Sequence, residues 1–194
     1  GATGAALETI RERTDVVTVG VDDEAAPETD GPADRRGGEP PDVRVRETEM
    51  VSVAESSVSL VGPDWEVQTA TPLLGTHQAL NAGIAATLAR QVGSTLDVEV
   101  TERTIAAGVR NVHWPGRFEV LSREPLVVLD GAHNPDACAK LATVLDRYDY
   151  DDLHLVFGAM RDKDHVAMCR SLPAVDRAVL AESAVGRAES AETL

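Results

Sequence analysis

The chain reads as an α/β protein, and three observations predict that class. From Leu126 onward the pattern runs strand, helix, strand, helix, strand, with apolar runs at 126–129, 153–157 and about 177–181. Each run is continuous rather than alternating, as in parallel strands covered on both faces. Asn134 and Pro135 then supply an N-cap and a first-turn proline for the helix that follows the first run. The second part of the chain is therefore the first half of a doubly wound sheet.

The remaining elements follow in order. Ala5 to Arg13 reads as a short helix, and Val16 to Val19 as a small strand. Residues 22–49 hold ten acids, four arginines, four prolines and three glycines, with few large apolar groups. Such a stretch buries too little surface to offset its ordering entropy, and reads as a disordered acidic insertion. Between 51 and 70, Val51, Val53, Val58, Leu60 and Val61 fall near period two, and Gly62-Pro63-Asp64 marks a turn. Thr76 is placed to cap a helix from His77 to about Gln91, with Leu80, Ile84 and Leu88 as its apolar face. Thr101 caps a second helix, stapled by Val100 and Ile105, which leads to a connector near Val112. In the second part, Ala137, Leu141, Val144 and Leu145 form an inner helix face. Asp162 is placed to cap the next helix, with Val166, Cys169 and Leu172 inward.

Composition narrows the partners. The formal net charge is −15, and only Lys140 and Lys163 among the 18 basic residues are lysines. That sign opposes non-specific nucleic-acid binding. Self-repulsion of this size also works against compactness unless counter-ions screen it, which reads as adaptation to high salt, the alternative being a merely solubilising acidic surface. Aromatics make up only 3%, so Val, Leu, Ile and Ala must build the core. Cys138 and Cys169 fit two buried thiols in a reducing cytoplasm. No 18-residue apolar run or signal-like start is present. The start at Gly1 and the stop at Leu194 within the strand-helix pattern read as a fragment.

The candidate chemistry lies where chain reversals meet strand ends. Asp130 closes the run Leu126–Leu129, where a carboxylate suits ribose hydroxyls or simply caps the loop. Gly131 permits close backbone approach, and His133 and Asn134 stand at a helix start, where N–H groups favour anions. Arg117 follows Pro115-Gly116 on a turn that suits phosphate contact, or else an ion pair with Glu119 or Glu124. Trp114 reads as a packing anchor at the hinge rather than a stacking platform. Gln78 and Asn81 carry amides that match the adenine edge, or are solvated groups at a helix start. Residues 158–164 are a ligand loop or a charged turn. The chain has no metal-ligand spacing and no Gly-Lys-Ser/Thr phosphate loop.

Four stretches together resemble the folylpolyglutamate synthase and dihydrofolate synthase family of the Mur ligase superfamily. They are Gly75-Thr76-His77-Gln78 with Asn81, Trp114 to Glu119, Leu129 to Pro135, and Phe157 to Met160 with Lys163-Asp164. The resemblance implies the end of a P-loop-type central domain at 1–112, followed by a truncated Rossmann-like Mur ligase C-terminal domain at 113–194. It implies an ATP-dependent amide ligase that joins L-glutamate to dihydropteroate or a reduced folate through an acyl phosphate. Gln78 and Asn81 then face adenine, Asp130 the ribose, Arg117 the phosphates, and His133 the reacting phosphate. Arg117 and His133 are the catalytic candidates. The P-loop and the Mg²⁺ ligands are expected upstream, so this piece alone is expected to be inactive. A cytoplasmic monomer is expected, with no membrane or nucleic-acid partner and with fusion to dihydropteroate synthase in the parent chain. A Mur-type peptide ligase of cell-wall synthesis and a non-catalytic nucleotide-binding module are the competing readings.

Overall fold

The computed structural model describes residues 5–22 and 40–194. The chain divides into two compact units, Gly1–His113 and Trp114–Leu194. The first contains α1 (Ala5–Arg11), β1 (Val19–Val21), β2 (Val43–Ser52), β3 (Glu55–Val61), β4 (Glu66–Thr71), α2 (Thr76–Thr95) and α3 (Glu102–Arg110). Its four strands form one sheet in sequence order, with β1 parallel to β2 and the other neighbours antiparallel.

Strand β2 corrects the expectation of a loop reaching residue 49. Val43 and Val45 are buried while Arg44 is exposed, so four residues of period-two pattern sit inside a charged stretch whose average composition hides them. The rest of the expected insertion, 23–39, lies outside the described residues. Strand β1 also falls later than the expected 16–19. Its register is set by Asp42, whose carboxylate accepts hydrogen bonds from Thr18 N at 2.8 Å and Thr18 Oγ1 at 2.7 Å. These bonds hold the Asp42 carboxyl below its ordinary pKa.

Helix α2 buries a different face from the one expected. Ala79, Gly83, Ala86 and Thr87 turn inward, whereas Leu88 is 54% exposed and Ile84 is exposed as well. The reason is close approach. A Cβ on Gly83 would lie 2.5 Å from Val45 Cγ2 and 3.1 Å from Val19 Cγ1, so only small residues let the helix reach the sheet. The helix N-cap is Gly75, at φ 103°, rather than Thr76. Glu47 of β2 accepts from Gly75 N at 3.0 Å, fixing that start to the sheet. Thr101 caps α3 as expected, accepting from Thr104 N at 3.2 Å, and Ile105 joins the core of Val43, Val45, Val58, Leu60, Trp65 and Val67.

The second unit contains β5 (Glu119–Arg123), β6 (Leu126–Leu129), α4 (Pro135–Leu145), β7 (His154–Phe157), α5 (His165–Arg170) and β8 (Arg177–Leu180). Strands β7 and β8 are parallel, while β6 pairs antiparallel with the unanticipated β5 in a separate two-stranded sheet. Two-sided cover is not found. Cys138 of α4, Met168 of α5 and Phe157 of β7 close one core, whereas Val156, on the other side of β7, is 73% exposed. Alternation along a two-stranded ribbon leaves that side without a partner layer among the described residues. Asp164, not Asp162, caps α5, because Lys163 N donates to Met160 O at 3.1 Å and spends those residues on a turn. Met168 fills the inward position, and Val166 and Cys169 are exposed. Cys138 alone is therefore the buried thiol, and burial pushes its pKa up.

Candidate functional site

Two loops of the second unit are stitched together by short hydrogen bonds. Gly131 N donates to Gly116 O, and Phe118 N donates to Asp130 Oδ2, both at 2.8 Å. Asp130 Oδ1 accepts from Ala132 N at 2.8 Å. Both carboxylate oxygens are thus engaged with backbone, and each retains lone-pair capacity for a further donor. A Cβ on Gly131 would lie 3.2 Å from Gly116 O, so this close approach favours glycine.

The stitched turn presents Arg117. It is flanked by two left-handed residues, Gly116 at φ 71° and Phe118 at φ 47°. Phe118 pays a steric cost of about 1–2 kcal/mol there. It is held in place by burial, at 5% exposure, and by stacking on Tyr148 with ring centroids 5.5 Å apart. Glu119 does not pair with Arg117; its Oε2 accepts from Gly116 N at 2.8 Å. The exposed Arg117 guanidinium has no ion-pair partner among the described residues. Trp114 is 62% exposed and is not the packing anchor its size suggested.

His133 lies beside this turn. Its Nδ1 is 2.9 Å from Gly131 O, and a carbonyl only accepts, so Nδ1 carries the proton. In the neutral ring this leaves Nε2 unprotonated and able to accept. Asn134 Oδ1 accepts from Ala137 N at 2.8 Å and caps α4, with Pro135 in the first turn as expected.

Arg117, Asp130 and His133 are therefore brought into one hydrogen-bonded neighbourhood. Gln78 and Asn81 belong to the first unit, on the first two turns of α2. Asn81 Nδ2 donates to Gln78 Oε1 at 3.0 Å. That bond leaves the Gln78 amide N–H groups and the Asn81 carbonyl oxygen unused by it, a donor beside an acceptor. The 158–164 loop is braced rather than open. Arg161 N donates to Arg187 O, Glu189 N donates to Ala159 O, and His165 Nε2 bonds Met160 O.

Sequence reasoning missed Tyr148 altogether, and it gave Glu119 the wrong partner, Arg117 instead of Gly116 N. For Glu119 a signal existed, a carboxylate three residues after a glycine in a turn. Tyr148 lies 30 residues from Phe118, and nothing local points to it. Among the described residues no three His, Cys, Asp or Glu side chains gather to hold a metal ion. No helix among them is long and apolar enough to cross a membrane.

Comparison with known proteins adds lineage to this geometry. Residues 116–194 match the family described as Mur ligase, glutamate ligase domain. The chain is 50% identical to a probable bifunctional folylpolyglutamate synthase/dihydropteroate synthase of Haloferax volcanii, over 100% of this chain and 21% of that protein. A protein of the same description from Halobacterium salinarum is 53% identical over 72% of this chain and 17% of its own length. The chain thus spans about a fifth of the length of these relatives. Among solved structures, Mycobacterium tuberculosis folylpolyglutamate synthase complexed with ADP superposes with a TM-score of 0.68 at 29% identity, over 78% of this chain and 34% of that one.

Proposed function

We propose, from a chain whose residues 116–194 belong to the Mur ligase glutamate ligase domain family and which is related along its length to folylpolyglutamate synthases, that it is the nucleotide-facing part of an ATP-dependent amide ligase. The reaction joins L-glutamate to the carboxylate of dihydropteroate or of a reduced folate. A carboxylate oxygen attacks the γ-phosphorus of ATP, the bond to the bridging oxygen breaks, and ADP leaves. The glutamate amine then attacks the acyl carbon, inorganic phosphate departs, and the ammonium loses a proton.

The observation that carries this reading is the stitched turn, which holds Arg117 without an ion-pair partner among the described residues, next to Asp130 and His133. An arginine held in that way opposes phosphate charge as it develops, with little reorganisation. Asp130 retains acceptor capacity for ribose hydroxyls, and His133 offers Nε2 to a phosphoryl oxygen when protonated. Gln78 and Asn81 present a donor and an acceptor that match the adenine edge. The described residues gather no Mg²⁺ ligand set; by the family resemblance those ligands and the P-loop are expected upstream of this chain. By analogy with the bifunctional relatives, the parent polypeptide is read as also carrying dihydropteroate synthase; its acidic surface and the family resemblance are the grounds for reading it as a cytoplasmic, salt-adapted monomer.

The test is phosphate release by the complete ligase polypeptide at high salt, with ATP, Mg²⁺, glutamate and each pterin in turn. Release that requires both glutamate and a pterin, and that falls by about a hundredfold or more in Arg117→Ala, is expected for a lost charge-stabilising donor. Pterin-independent release, or an unimpaired Arg117→Ala, would defeat the proposal.

A further inference from the structure

We infer that Glu119 is a positioning residue for Arg117, acting through the backbone N–H of Gly116. The inference rests on the proposed role of Arg117 and deepens it.

Arg117 stands between two residues that the chain would not adopt unaided as a pair, Gly116 at φ 71° and Phe118 at φ 47°. Each neighbour is held by a carboxylate. Glu119 Oε2 accepts from Gly116 N, and Asp130 Oδ2 accepts from Phe118 N, both at 2.8 Å. The two bonds grip the turn on either side of the arginine, and Gly131 N to Gly116 O closes the loop behind it. Asp130 comes from the end of β6, so its grip is shared with the strand. Glu119 comes from the first residue of β5, immediately beyond the turn, so its carboxylate closes the turn on itself.

This arrangement explains why an acid stands two residues from an exposed arginine without pairing with it. Glu119 is half-buried and already spent on Gly116 N, which leaves the guanidinium free for an external anion. Two properties of Glu119 are separable. One is reach, since the carboxyl must span back three residues. The other is charge. The hydrogen bond requires reach and an acceptor oxygen; it does not require charge. Glutamine keeps both of those, and aspartate keeps the charge but is one methylene too short.

The experiment is steady-state kinetics of the complete ligase polypeptide, with ADP affinity by titration calorimetry and a far-UV spectrum for each variant. Glu119→Ala and Glu119→Asp are expected to lose roughly ten- to a hundredfold in turnover, the scale of an Ångström-level misplacement of a catalytic group. Glu119→Gln is expected to recover most of that rate. In an Arg117→Ala background, Glu119→Ala is expected to cost no more than about twofold further, because groups that act through one another are not additive.

Two outcomes overturn the inference alone. One is a crippled Arg117→Ala enzyme in which Glu119→Ala costs as much as in the wild type. The other is an order in which aspartate rescues and glutamine does not. An Arg117→Ala enzyme with undiminished turnover and ADP affinity would instead bring down the functional reading beneath it. If Glu119→Ala fails to fold, the aspartate and glutamine pair carries the decision, since both keep a polar side chain at the same position.

Discussion

Gly83→Ala is expected to destabilise the first unit, and the size of the effect follows from two opposing terms. The new methyl would lie 2.5 Å from Val45 Cγ2, on a branched side chain that is 1% exposed and has nowhere to move. Overpacking of this kind costs about 1–3 kcal/mol. Alanine also gains about 1 kcal/mol over glycine within a helix, and its second contact, to Val19 Cγ1 at 3.1 Å, needs a shift of only a few tenths of an Ångström. The net expectation is a loss of up to about 2 kcal/mol. In a Val45→Ala background the obstructing methyl is gone, so the same Gly83→Ala change should stabilise by up to about 1 kcal/mol. The coupling between the two positions is then about 2 kcal/mol. The assay is urea unfolding at fixed high KCl, read by tryptophan fluorescence in a Trp114→Phe background. Trp65, in the core with Val45, is then the sole tryptophan and reports the first unit directly. Gly83→Ala that stabilises the wild type, or that shifts both backgrounds equally, would refute the close-packing account of α2.

Two titrations test other parts of the structure. Burial raises the Tyr148 pKa from 10.0 to about 12, so its neutral form stabilises the fold fully below the unfolded value, and that contribution is lost as pH climbs through 10 towards 12. The 295 nm absorbance difference between wild type and Tyr148→Phe should show a midpoint near 12. An ordinary midpoint near 10.0 would contradict the packed ring. Asp42 is lowered, first by the Thr18 backbone bond and then by the Thr18 hydroxyl, so its contribution is present above the unfolded carboxylate pKa and is lost as pH falls through the folded one. Asp42→Asn should therefore flatten the acid limb of unfolding in the window between those two values, and an unchanged acid limb would count against the β1–β2 clamp.

Much of the candidate site was legible because its chemistry is local. Asn134-Pro135 announces a helix start within two residues, and the cap was found where it was expected. Asp130 and Gly131 follow an apolar run at a strand end, a position with its own logic in α/β folds. Helix α2 shows the opposite case. Leu80, Ile84 and Leu88 share one face and Ala79, Gly83 and Ala86 another, and periodicity identifies both without saying which is buried. The answer depended on the distance to a strand more than thirty residues away. Strand β2 was lost for a different reason, since Val43 and Val45 were averaged into their acidic surroundings. The Phe118–Tyr148 stack joins residues 30 positions apart, and no local window of the sequence contains both.

Among the described residues, the two separate strand ribbons of the second unit leave Val156, Leu129 and Val179 exposed, beside strand edges with no paired neighbour. Such edges are templates for pairing with any extended chain. At low ionic strength the charge of −15 keeps copies apart. At 1 M salt the screening length falls to about 3 Å, and that guard disappears. The salt that screens this self-repulsion is therefore also the one in which bare strand edges can find each other. Dilution, rather than desalting, is the way to keep the molecule single.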